Sequence, residues 1–227
     1  MKKKYVLIMV LLGAWFLAPV YSGAQTQKEL EKERQEIRKL SESQLKKRAT
    51  KAARKDAKKL KKEGWVVAPG ALPIDKQLDK SYLMQYEYDE TGYAKYIMGD
   101  ALSIGENYDA AKMQALELAK QNLAGQIQTE ITALIENSVA NKQLAQEQAA
   151  SVTESVLASK NLISQSIGRV IPVVEMYRTK TDKNKEVSVR VAYNSNMAME
   201  AAKKVIRADL EEKGNKLHDQ LDKVLGW

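Results

Sequence analysis

Residues 107–134 read NYDAAKMQALELAKQNLAGQIQTEITAL. Asn107 is a residue type that caps helix N-termini well. From it, Met113, Leu116, Ala119, Leu123, Ile127, Ile131 and Leu134 recur in steps of three and four. That spacing lines one face of a helix, with Glu117, Gln121 and Gln128 pointing elsewhere. Alanines at 110, 111, 115, 119 and 124 leave room for the close approach of a sheet. The stretch therefore predicts a long helix laid on β-structure.

The β-structure is found on either side of it. Tyr93 to Leu102 has strand character, rich in Tyr, Ile and Met. Val170 to Lys180 is β-rich, and Pro172 near its start points to an edge position or a late onset. Asp182-Lys183-Asn184 is turn chemistry. After it, Val187, Val189, Val191 and Tyr193 alternate with Ser188, Arg190 and Ala192, so the two segments form a hairpin with one buried face. Between strand and hairpin, Ala149, Val152, Val156, Ile163 and Ile167 mark a second helical stripe that Gly168 stops. Asn141 to Gln148 reads as a bend or an exposed turn. Asn194 or Ser195 can cap a last helix bearing Met197, Ala201, Val205, Leu210, Leu217 and Leu221. The expected class is α+β: a small antiparallel sheet of about three strands covered by long Ala-rich helices, preceded by a charged helical arm.

Upstream, Pro73 suits the start of a helix, and Ile74, Leu78, Tyr82 and Tyr86 recur every four residues before Gly92. Gly64 to Pro73 is a short apolar linker. Gln25 to Glu63 has no Gly or Pro and is built from helix formers. Its leucines keep no sustained heptad, and it reads as a solvated helix. Lys2, Lys3 and Lys4 precede an uncharged run from Tyr5 to Val20, with Ser22 and Ala24 at the small-residue positions of a cleavage site. That is the three-part pattern of a secretory signal. The expected division is 1–24 signal peptide, 25–63 basic arm, 64–92 linker and short helix, and 93–227 α+β domain. A retained signal would instead be an inner-membrane anchor; export follows either way.

The net charge of +8 is unevenly placed. Thr26 to Glu63 hold fifteen Lys/Arg and seven Asp/Glu, whereas Gly64 onward holds nineteen and twenty-two. A basic arm thus precedes a mildly acidic body, which is a statement about partners. The sharpest signal is Lys46, Lys47, Arg48, Lys51, Arg54, Lys55, Lys58, Lys59, Lys61 and Lys62, with Asp56 the one anion among them. Export removes nucleic acid from the partner list and leaves an anionic envelope surface or an envelope protein. A spacer helix with no fixed partner is the plain alternative.

Gly99-Asp100-Ala101-Leu102-Ser103, Asp109-Ala110-Ala111-Lys112-Met113-Gln114-Ala115 and Leu118-Ala119-Lys120-Gln121-Asn122-Leu123-Ala124-Gly125-Gln126-Ile127 carry a resemblance. With the late strand Glu186-Val187-Ser188-Val189-Arg190-Val191-Ala192-Tyr193, they are similar to the LPP-twenty-type envelope lipoproteins and the N-terminal domain of flagellar assembly protein T. The resemblance covers roughly the central half of the chain. It implies a Gram-negative envelope location, periplasmic or outer-membrane-associated, and an interaction or structural role without catalytic residues. The chain has no cysteine, so it departs from the lipoprotein members in lacking the residue they acylate.

Cysteine's absence also excludes thiolate nucleophiles and thiolate metal sites. His218 is the single histidine and has no orienting acid or nucleophile in a recognisable pattern. No metal-ligand spacing and no cofactor motif is present. Asp100, Glu106 and Asp109 gather at a strand-to-helix corner. There they either oppose the helix dipole, worth about 0.3–1 kcal/mol each, or supply the paired carboxylates of a hydrolase. Tyr82, Tyr86, Tyr88, Tyr93, Tyr96 and Tyr108 form either a stacking platform or a core margin. Trp65 and Trp227 are interface anchors or plugs over an open core edge. The expected function is an exported, non-enzymatic envelope interaction or structural protein, without a cofactor or an evident small-molecule substrate. An envelope hydrolase using Asp100 and Asp109 is the alternative, and homo-oligomeric assembly a third reading.

Overall fold

Val187, Val189, Val191 and Tyr193 sit on one face of the central strand, and all four are buried. A computed structural model of the chain describes residues 31–32, 35–36, 39, 43, 46–90, 92–141 and 144–212. The signal-peptide reading, most of residues 25–45, and His218 and Trp227 lie outside them. The chain divides into two compact units, Met1–Lys47 and Arg48–Trp227. In the first, residues 31, 32, 35, 36, 39, 43 and 46 are helical and exposed.

In the second unit the order is α1 (Lys51–Lys62), α2 (Ile74–Gln85), β1 (Tyr96–Gly105), α3 (Tyr108–Ala140), α4 (Gln146–Ala158), α5 (Lys160–Ser166), β2 (Ile171–Thr179), β3 (Lys185–Asn194) and α6 (Ser195–Glu212). The expected α+β class holds. The sheet is fully antiparallel with order β1-β3-β2, so the cleanest alternating strand is the central one. A register shift between Pro172 and Val174 sits in edge strand β2, where a residue without an N–H is tolerated.

α3 covers the face formed by Ile97, Gly99, Val187, Val189 and Val191. Its buried stripe is Ala111, Ala115, Ala119, Leu123, Ile127, Ile131 and Ile135. Met113, expected on that stripe, is 73% exposed. The alanines bring the helix backbone onto the sheet: a Cβ on Gly99 would lie 2.8 Å from the Leu123 Cβ. Further along α3, the isoleucines join Val152 and Val156 of α4, Ile163 of α5, and Ile206 and Leu210 of α6. Burying each such side chain contributes about 1.5–3 kcal/mol. Gln128, expected to point away from the core, is also buried. Its amide donates to the Val156 and Leu157 carbonyls at 2.5 and 3.2 Å, which satisfies acceptors in the last turn of α4.

The opposite face of the sheet is covered over β2 and the start of β1, while Asp100, Leu102 and Ile104 on the same face of β1 are exposed. Val174 and Met176 of β2 pack with Ile74 and Leu78 of α2, with Trp65, and with Ala49, Ala53 and Ala57. The segment read as a linker lies along the outer edge of β2. Val66 and Tyr177 exchange two backbone hydrogen bonds of 2.8 Å, and the Gln77 side chain accepts the Glu175 N–H at 2.6 Å. An otherwise open sheet edge is thereby partly closed. Among the described residues, no helix is long and apolar enough to cross a membrane.

Candidate functional site

α1 starts at Thr50, whose hydroxyl accepts the Ala53 N–H at 3.3 Å, and ends with Lys59, Lys61 and Lys62 in its last turn. The hydroxyl satisfies one of the unpaired first-turn amides, and the lysines suit the dipole at the C-terminal end. Its apolar face is made of alanine: Ala49 is 3% exposed, Ala53 0% and Ala57 3%, with Leu60 partly buried against the same cluster. Two polar ties fix the helix to α2. The Thr50 N–H donates to Asp79 Oδ1 at 3.0 Å, and the Tyr82 hydroxyl donates to Asp56 Oδ2 at 2.8 Å. Burial, then the hydrogen bond to Asp56, raises the Tyr82 pKa above its ordinary value.

For its residues from Arg48 on, this corrects the reading of 25–63 as one solvated helical arm. The second compact unit begins at Arg48, and α1 is docked on the α+β body through its alanines. Lys46 and Lys47 belong to the other unit and are exposed. The small side chains explain the miss, because three alanines carry almost no hydrophobic signal against so many cations.

Docking gives the cations an orientation. Lys51, Lys55, Lys58 and Lys62 recur at four, three and four residues, on the side of the helix opposite Ala53 and Ala57. They span about 16 Å of helix. Lys59 and Lys61 flank them, and Arg48 is exposed ahead of the helix. Arg54 is half-buried, and its Nε donates to the Ala49 carbonyl at 3.1 Å. Among the described residues, none of Lys51, Lys55, Lys58, Lys59, Lys61 and Lys62 forms an ion pair. The result is a rigid basic ridge with its charges turned to solvent.

The other sequence candidates are scattered. Asp100, Glu106 and Asp109 are exposed. Side chains alternate along a strand, so Asp100 lies on the face opposite Gly99, away from α3, while Asp109 opens α3 itself. The two carboxylates expected of a hydrolase are therefore on different sides of the sheet. Of the tyrosines, Tyr86, Tyr88 and Tyr93 are exposed, Tyr96 packs against Met84, Val173 and Ala192, and Tyr82 serves α1. They make no common platform. Trp65 is 5% exposed and is capped by the Arg178 guanidinium, 4.7 Å from the ring centre. Its role is that of a plug. Among the described residues, no group of acids or histidines could hold a metal ion.

One group had no signal in the sequence. Tyr108 donates its hydroxyl to Glu175, and Lys112 Nζ lies 2.8 Å from the same carboxylate oxygen. Tyr108 also meets Tyr177 edge-on, with ring centres 4.9 Å apart. Burial first, then the bond to Glu175, pushes the Tyr108 phenol far above its ordinary value. It stays a donor through the physiological range. No protein family, curated protein or solved structure matches this chain.

Proposed function

We propose that the chain is a non-enzymatic interaction module of the bacterial envelope that seats on an anionic surface through the docked helix α1. The observation that carries the reading is the pairing of buried Ala53 and Ala57 with outward Lys51, Lys55, Lys58 and Lys62. A docked ridge presents its charges without first ordering a loose helix, so less conformational entropy is lost on binding. An anionic leaflet attracts basic residues at its surface by about 1 kcal/mol each. The apolar face of α1 is occupied by the body, so the attachment is electrostatic rather than insertive. The location outside the cytoplasm rests on the pattern of residues 1–24 and on the resemblance of residues 99–139 and the late strand to envelope proteins.

Co-sedimentation with vesicles of phosphatidylglycerol and phosphatidylethanolamine tests the reading. Replacing Lys51, Lys55, Lys58 and Lys62 by Glu is expected to weaken binding by about a hundredfold or more, by that same per-residue attraction. Replacing Lys120, Lys160, Lys183 and Lys204 by Glu changes the net charge equally and is expected to cost far less. Equal losses from the two sets would leave α1 no special part.

A further inference from the structure

A second site lies beside the edge of β2, away from the lysine row. A cleft of about 450 Å³ opens between residues 68–72, α2, the start of α3 and the bulge of β2. Ala68, Pro69, Leu72, Pro172 and Val173 form its apolar walls. Gln77, Lys80, Tyr108, Lys112 and Glu175 are its polar lining. The volume falls in the range of small-molecule sites, which combine apolar walls with a few fixed polar groups.

Those polar groups are held in place. Gln77 is 6% exposed and bonds in two directions, donating to the Leu72 carbonyl at 2.7 Å and accepting the Glu175 N–H at 2.6 Å. It thereby clamps the 68–72 loop to the strand. Glu175 is fixed from its other end by Tyr108 and Lys112. The lining of the cleft thus carries one carboxylate and two ammonium groups, those of Lys80 and Lys112. Lys112 uses one of its three donors on Glu175 and stands 5.6 Å from the Tyr108 ring centre. Lys80 is exposed at the cleft and makes no ion pair among the described residues.

From this cleft we infer a binding site for a small carboxylate with an apolar body, its acid group taken by Lys80 and Lys112 and its body lying against Pro69, Leu72, Pro172 and Val173. The excess of one positive charge selects an anion, and the proline-lined walls select a ligand with hydrocarbon to bury. Glu175 orients Lys112 and also opposes the ligand's charge, so it sets a ceiling on affinity. The site stands independently of the surface proposed for α1.

The test is an NMR titration of the full ¹⁵N-labelled chain with hexanoate, hexanamide and inorganic phosphate. Hexanoate is expected to give saturable shifts confined to amides around Leu72, Lys80, Tyr108 and Val173, and hexanamide none. Lys80→Met, at a lysine that makes no hydrogen bond or ion pair among the described residues, is expected to weaken hexanoate about tenfold, as is Lys112→Met, each removing one charged hydrogen bond. Glu175→Gln keeps an acceptor for Tyr108 and removes the opposing charge, and is expected to tighten binding about threefold. A structural role for Glu175 alone predicts the reverse. The proposal is overturned by unsaturable or dispersed shifts, by hexanamide matching hexanoate, or by phosphate matching it. Unchanged affinity in Lys80→Met, or weaker binding in Glu175→Gln, overturns it too.

Discussion

The Tyr82 hydroxyl donates to Asp56 across 2.8 Å, joining two helices that the sequence assigns to different parts of the molecule. Asp56 is the one acid within α1, and it is spent on this tie. Tyr82→Phe is expected to lower stability by about 1 kcal/mol, the usual net value of such a bond. Ala57→Glu forces a charge into a position 3% exposed and is expected to cost about 3 kcal/mol or more, or to release α1 outright. Urea unfolding of the three proteins checks both.

Gly99 and Gly125 predict opposite outcomes for one substitution. An added Cβ at Gly99 would stand 2.8 Å from the Leu123 Cβ and 3.0 Å from its backbone nitrogen. The helix would have to lift from the sheet, so Gly99→Ala is expected to cost about 1–3 kcal/mol. At Gly125, inside α3, a Cβ meets only the end of the Lys160 side chain at 3.5 Å. There the alanine should gain helix propensity and stabilise by about 0.5–1 kcal/mol. Thermal unfolding midpoints of the two variants should move in opposite directions.

High pH should unsettle the fold through its held phenols. Tyr108 and Tyr82 both have folded pKa values raised above the ordinary one. The folded state therefore keeps protons that the unfolded chain releases above pH about 10. Their contribution is complete below that pH and is lost as pH rises towards the folded values. Denaturant midpoints should fall more steeply above pH about 10 in the parent than in Tyr108→Phe. Parallel curves would mean that Tyr108 ionises normally.

Glu186 is 5% exposed and is paired with Arg178, which also caps Trp65. Glu186→Gln removes the charge partner of a guanidinium whose side chain is one-third exposed, so the expected cost is that of one charged hydrogen bond, about 1–2 kcal/mol. Because Trp65 lies beneath that guanidinium, its fluorescence should also change in the native state. Loss of stability without a change in native emission would separate the pair from the indole.

The hairpin and α3 were legible because their periodicities are long and unambiguous. The register of the buried stripes was not. Met113 and Met197 were expected inside and are 73% and 58% exposed; Ala111 and Ala115, read as leaving room for the sheet, are fully buried, and so are Ala198 and Ala202, which the reading of the last helix passed over. A helix that must approach closely puts its smallest residues inward, and hydrophobicity alone points to the larger ones. β1 was expected at 93–102 and runs 96–105, because Tyr93 closes a tight turn with Asp89 through both its N–H and its carbonyl. Gln128 and Val156, or Tyr108 and Glu175, are too far apart in sequence for any local pattern to pair them. The basic residues of α1 were legible as a cluster; the seat they stand on was not.

The most direct measurement is hydrogen exchange of the α1 amides beside those of β3. Docking through Ala53 and Ala57 predicts that amides in 54–62 are slowed well beyond an isolated helix, and that Ala57→Glu abolishes the slowing while β3 stays protected. Exchange across 54–62 at the rate of an unstructured peptide, with β3 still protected, would mean that the lysines ride on a loose segment, and the basic ridge would have no fixed form.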